Sequence, residues 1–171
     1  MMIARSTNQE LTVNPNRLSL DEAYINMAYV WARRSKANRK QVGALIVKGD
    51  QIISDGYNGM PAGEKDDVCE YWHQEPQGFS LTDIPPTLRT KPEVLHAESN
   101  AIAKLAKNGG EGCFGATVYI TMSPCIECAK LMWQSGIKRV VFDELYRDDA
   151  GIQFLRLRGV PVDHFTCEAI K

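Results

Sequence analysis

At 171 residues with 44% hydrophobic content, the chain can bury one substantial core and is too short for two comfortable domains, so a single domain over 1–171 is expected. Its 20 Lys and Arg nearly cancel its 21 Asp and Glu, which argues against a broad basic footprint for nucleic acid and favours a small or locally recognised substrate. No segment approaches the roughly 18 uninterrupted apolar residues of a membrane span. The opening "MMIARSTNQELTVNPNR" also lacks the apolar run of a signal peptide, so a cytoplasmic protein of a cell or an infected host cell is expected, with no membrane partner.

The polar residues 1–17 are expected to be mobile. Ser19 then reads as an N-cap, and Leu20, Ala23, Tyr24, Met27, Ala28 and Trp31 recur at helical spacing, predicting an amphipathic first helix. Two apolar β-rich runs, 42–47 and 51–57, flank the turn-like Lys48-Gly49-Asp50 and predict a hairpin. Over 58–95 the pattern fails. Pro61, Pro76, Pro85, Pro86 and Pro92, with Gly56, Gly59, Gly63 and Gly78 in or at the edge of the stretch, break any long element, and a connection of this length is expected to be a functional lid or binding loop.

Order returns at "HAESNAIAKLAKNGG", a helix closed by Asn108-Gly109-Gly110, and "ATVYITM" follows as a buried strand. "PCIECAKLMWQSG" predicts a helix with Ser123 at the N-cap, Pro124 at the first helical position and Gly136 as the stop. "KRVVFD" reads as a strand, "DAGIQFLRLRG" as a helix and "VPVDHF" as a last strand. A hairpin followed by alternation predicts a three-layer α/β/α fold, with a mixed five-stranded sheet and helices on both faces.

Two helix starts carry metal-capable side chains: His96-Ala97-Glu98, and Cys125 with Cys128. A C-x-x-C pair alone suits a redox couple, half of a structural zinc site or part of a catalytic one. Three residues apart on a helix, the two sulfurs share a face, and the helix N-terminus favours their thiolate form. With His96 they make three ligands, one fewer than a closed structural zinc, which leaves a coordination position for water, whose pKa zinc lowers toward ~7. Glu98 is then placed as the general acid/base. H-x-E with P-C-x-x-C is the general signature of zinc-dependent nucleobase deaminases. A structural-zinc adaptor is the competing reading, and Glu98 opposes it, since such a site has no use for a proton shuttle. Glu127 faces away from the sulfurs and is expected to be solvated, Cys113 and Cys167 to be packed or merely present, and His164 to be a surface or capping group.

In this order, "RRSKANRKQVGALIV", "GYNGMPAG", "HAESNAI", "SPCIECAKLMWQSGIKRVVF" and "GIQFLRLRGV" resemble the zinc-dependent deoxycytidylate deaminases of the cytidine deaminase superfamily. The zinc motif alone equally suits tRNA adenosine, guanine or riboflavin-pathway deaminases; "GYNGMP" and "PCIECAK" followed by "SGIKRVVF" narrow it. The resemblance implies one catalytic Zn²⁺ per chain and hydrolysis of dCMP to dUMP and ammonia, supplying dUMP for thymidylate synthesis. It places Asn58, Ala97, Ser123 and Pro124 about the nucleoside and Ser35 and Lys36 at the 5′-phosphate, with Tyr146 and Arg147 closing that end. The Asp-Pro that often follows Ser-Lys in the family is absent here, where Ala37-Asn38-Arg39-Lys40 stands. The resemblance further implies a homo-oligomer, hexameric in some members, activated by dCTP and inhibited by dTTP. Gly59, Met60, Asp66 and Asp67 fall in the effector region, the two acids as candidates for a triphosphate-bound Mg²⁺. Cys69 and His73 supply only two of the four ligands a second, structural zinc requires, and their partial burial in the loop's own small core is expected.

Overall fold

The computed structural model describes residues 14, 16–74 and 85–166; the expected mobile stretch 1–17 lies mostly, and Cys167 wholly, outside the described residues. The first helix, α1 (Leu20–Ala32), is capped as expected, Ser19 Oγ accepting from the Glu22 N–H at 3.2 Å. Its buried stripe is not the expected one. Tyr24, Ile25, Ala28 and Ala32 are buried, whereas Leu20, Met27 and Trp31 are exposed. The helix carries two apolar faces, and the one with small residues wins because α1 lies very close to the strand beneath it. A Cβ added at Gly43 would come within 2.0 Å of the Ala28 carbonyl oxygen.

That strand, β1 (Gly43–Lys48), forms the expected hairpin with β2 (Gln51–Tyr57). Gly49 and Asp50 both have positive φ, 55° and 60°, the geometry of a two-residue turn that matches strand twist. The 58–95 region is not featureless loop: β3 (Glu70–His73) and β4 (Thr87–Thr90) make an antiparallel ribbon, pairing Glu70 with Thr90 and His73 with Thr87. Residues 75–84 lie outside the described structure. Then come α2 (Ala97–Asn108), β5 (Thr117–Met122), α3 (Ile126–Gln134), β6 (Arg139–Glu144), α4 (Ala150–Arg156) and β7 (Val162–His164). Gly109 and Gly136 follow α2 and α3 at φ 62° and 79°, so the expected stops hold.

The main sheet is mixed and five-stranded, ordered β2-β1-β5-β6-β7, with β5, β6 and β7 parallel and the rest antiparallel. Alternate side chains feed two cores. Leu45, Val47, Tyr119 and Val141 meet α1 through Tyr24, Ile25 and Ala28. Ala44, Ile46, Val118, Ile120, Val140 and Phe142 meet the other helices through Ala101, Leu105, Ala129, Met132, Ile152 and Leu155. The result is the expected three-layer α/β/α arrangement. Because β5 and β6 are parallel, their carboxyl ends open side by side, the usual place for a ligand in an open α/β sheet.

Candidate active site

Two helices begin at the site, and in both the N-cap is itself a metal-capable residue: His96 for α2 and Cys125 for α3, neither capping with its side chain. Each helix forgoes a capping bond worth roughly 1 kcal/mol, and the first-turn N–H groups of α3 help hold negative charge on the Cys125 sulfur. This corrects the expected cap. Ser123 lies two residues before the N-cap and joins two loops instead, its N–H donating to the Glu144 carbonyl at 2.7 Å and its Oγ accepting from the Tyr146 N–H at 2.8 Å. Pro124, buried, accordingly precedes the helix.

His96 Nδ1 lies 3.5 Å from Cys125 Sγ and 3.4 Å from Cys128 Sγ. Zinc bonds of about 2.3 Å to sulfur and 2.05 Å to nitrogen at tetrahedral angles would separate N from S by about 3.6 Å. The three donors therefore fit a zinc ion. Among the described residues they are also the group of His, Cys, Asp and Glu side chains whose atoms converge suitably; Cys69 and His73 do not join one. The sulfurs divide their proton unequally. A hydrogen bond from Cys128, with His96 close by, holds the Cys125 thiol down at about 3, while that same bond and burial push the Cys128 thiol up. The bond with Cys125 raises His96 in turn.

Glu98, in the first turn of α2, is buried, and burial pushes its carboxyl up to about 7. Such a group exchanges protons near neutrality, as a general acid/base must. Glu127, by contrast, is exposed and pairs with Lys130.

Two glycines seat the helix starts. A Cβ on Gly56 of β2 would lie 2.0 Å from the Ala97 carbonyl oxygen, and one on Gly151 of α4 would lie 2.1 Å from that of Pro124. Backbone on both sides leaves no flexible atom to yield. Gly151→Ala is therefore expected to cost about 1–3 kcal/mol of stability and to weaken zinc retention, read by thermal unfolding and metal analysis; unchanged values in both would refute the packing argument.

A cavity of about 410 Å³ opens over the cluster, lined by His96, Ala97, Glu98 and Cys125. Asn58, Ser123, Tyr146 and Arg147 also line it. The Asn58 amide is spent on the main chain, accepting from the Val42 N–H at 2.8 Å and donating to the Lys40 carbonyl at 2.9 Å. Ser35 and Lys36 are not brought to the cavity lining. The Ser35 hydroxyl is buried and donates to the Asn58 carbonyl at 2.7 Å, and Lys36 pairs with Asp67. Sequence reasoning missed Arg39 and Lys40, which do line the cavity, together with Glu70 and Thr90 of the ribbon. The adjacent cations just before β1, three and four residues after Lys36, were the available signal.

The other expected positions are placed as follows. Gly59 exchanges two backbone hydrogen bonds with Leu95, tying the turn after β2 to the chain just before His96. Met60 is half-buried, and Asp66 pairs with Lys91 at 2.6 Å. Cys69 is fully buried, which pushes its thiol up, and Cys113 is buried in the core. His164 is exposed, stacks on Phe142 and bonds the Asp143 carbonyl.

A three-ligand His/Cys/Cys cluster beside a buried carboxyl, at the carboxyl ends of parallel strands in an α/β/α sandwich, defines a zinc-dependent deaminase. Comparison with known proteins agrees. Residues 18–144 match the family described as the cytidine and deoxycytidylate deaminase zinc-binding region. Human deoxycytidylate deaminase is 40% identical over 133 residues, covering 77% of this chain and 68% of its own. The bacteriophage T4 deoxycytidylate deaminase is 39% identical over 149 residues, covering 71% and 76%. Among solved structures, the dCMP deaminase of cyanophage S-TIM5 in complex with dCMP and dUMP superposes with a TM-score of 0.72 at 34% identity, over 90% of this chain and all of that one. The chain belongs to the cytidine and deoxycytidylate deaminase family.

Proposed function

We propose that the chain, working as one domain, hydrolyses dCMP to dUMP and ammonia. The observation that carries this reading is the buried Glu98 beside the His96, Cys125 and Cys128 cluster, in one cavity with Arg39 and Arg147. Zinc held by those three residues supplies an activated water. Glu98 receives a proton of that water, places it on N3 of the cytosine ring, and later delivers a proton to the amine leaving C4. Water oxygen adds to C4 as N3 takes up the first proton; the bond to the exocyclic amine then breaks once the second water proton has reached it, leaving a carbonyl at C4 and ammonia as the product. Asn58, Ala97, Ser123 and Tyr146 shape the nucleoside part of the cavity, with Ser35 acting through its bond to Asn58; Pro124, expected there by resemblance, is buried and does not line it. The 5′-phosphate falls to Arg39 and Arg147, whose planar guanidinium groups suit its oxygens; Lys40 is already paired with Glu144 at 2.5 Å.

Purified protein incubated with dCMP, dCTP, deoxycytidine and guanine, followed by ultraviolet absorbance or ammonia release, tests the reading. Turnover is expected with dCMP, and zinc-loaded protein inert toward dCMP would overturn it.

Activation by dCTP and inhibition by dTTP are assigned to the segment around Gly59 and Met60. Mg²⁺ at Asp66 and Asp67 would have to displace Lys91 and Lys36. Identical substrate curves with and without the two triphosphates would remove this assignment. Self-association, to a hexamer by resemblance, is supported by the outward apolar face of α1, where Leu20, Met27, Val30 and Trp31 are exposed; sedimentation measures it. Among the described residues no helix is long and apolar enough to cross a membrane, and a reducing cytoplasm would keep the ligand thiols available.

A further inference from the structure

We infer that Glu70 and Thr90, one cross-strand pair of the β3–β4 ribbon, are positioning residues that hold Arg39 for the phosphate of the substrate. The inference rests on the dCMP reading and deepens it. Arg39 lies on the irregular chain between α1 and β1, which by itself leaves a long side chain free to swing. The ribbon grips it at both ends. Glu70 is 4% exposed, and its carboxylate accepts the Asn38 and Arg39 backbone N–H groups at 3.0 and 3.2 Å and the Asn38 side-chain amide at 3.3 Å. Thr90 Oγ1 accepts Arg39 Nη1 at 3.2 Å. Main chain and guanidinium of one residue are thus fixed by two side chains that face each other across the ribbon.

The arrangement is chemically specific. A buried carboxylate beside an anion site would repel phosphate unless its charge were met, and here three N–H donors meet it. The Thr90 hydroxyl orients the guanidinium without neutralising it, so the positive charge stays available. The ribbon is itself braced against its surroundings: the Lys91 N–H donates to the Cys69 carbonyl at 2.9 Å, Lys91 pairs with Asp66, and Lys36 pairs with Asp67. An arginine ordered in advance loses less freedom on binding than one on a loose loop, and the gain appears in substrate binding rather than in the chemical step. The β3–β4 ribbon then works as a brace for the phosphate end, within the stretch whose composition suggests a functional lid or binding loop.

The test is a mutant cycle on the zinc-loaded enzyme with dCMP. Glu70→Gln is expected to raise KM about tenfold, the worth of a charge-assisted hydrogen bond, and to leave kcat within about twofold. In an Arg39→Ala background, itself raised in KM, Glu70→Gln is expected to change KM by less than about twofold, since no guanidinium remains to be held. Thr90→Val should repeat the KM effect and Thr90→Ser should restore wild-type KM, a pair that decides the matter if Glu70→Gln fails to fold. Equal effects with and without Arg39, a fall in kcat at unchanged KM, or an Arg39→Ala enzyme with wild-type KM would each overturn the clamp. An unmodified chain inert toward dCMP would overturn the functional reading as well, whereas turnover with additive effects overturns the clamp alone.

Discussion

Glu98→Gln is expected to lower kcat for dCMP by about a thousandfold, within the range a positioned acid/base contributes, while zinc content stays at one per chain. Glutamine keeps the size of the side chain and its hydrogen bonding near Cys128, so the cluster retains its surroundings. It cannot carry a proton from water to N3 or to the departing amine. The buried position sharpens the expectation, because burial is what brings the Glu98 carboxyl to about 7, where it can both take and give a proton at neutral pH. Zinc analysis beside steady-state kinetics checks the result. An active, zinc-replete Glu98→Gln enzyme would remove Glu98 from the reaction.

Cys125→Ala is expected to abolish zinc binding and activity together. The remaining pair, His96 and Cys128, is two ligands, too few to retain the ion against even mild chelation. The fold should survive the loss, because neither apolar core is built through the metal ligands: one lies between α1 and the sheet, and the other is centred on Ile46, Ile120, Phe142 and Met132. Far-ultraviolet circular dichroism close to wild type, with zinc below about a tenth per chain by elemental analysis, is the expected pair of readings. Zinc retained at full occupancy would refute the ligand assignment. A collapsed spectrum would show that the metal holds the fold together, against the packing described above. The same logic separates the two variants, since one leaves the metal and removes the proton carrier while the other removes the metal.

Much of the site was legible in the chain because its parts are local. Cys125 and Cys128 share a helical face by spacing alone, and Glu98 follows His96 by two residues, so a helix start converts each short string directly into geometry. Bringing the two strings together rested on the ligand count and on the H-x-E and P-C-x-x-C signature, not on any spacing between them. The phosphate end was less legible. Ser35 and Lys36 were nominated by resemblance, yet Ser35 turns inward to Asn58 and Lys36 outward to Asp67, while Arg39 meets Glu70 and Thr90 from segments 31 and 51 residues away in sequence. No periodicity encodes such a meeting. The misplaced cap at Ser123 has a related cause: its hydroxyl had a local use in α3 and a tertiary use with Tyr146, and the second prevailed.

The amino-acid sequence by itself determined the type and order of the main elements, where α2 and α3 stop, and the chemistry of the His96, Glu98, Cys125 and Cys128 constellation. Each of these depends on hydrogen bonds and side-chain spacings within one or two turns or along one strand. Only the tertiary structure decided which apolar face of α1 is buried, that β3 and β4 form a ribbon, and which cations line the cavity. These outcomes turn on packing between distant segments. Gly43 lets Ala28 and Ala32 come close where Leu20, Met27 and Trp31 are left outside, and a buried Glu70 from β3 takes up the backbone N–H groups of Asn38 and Arg39.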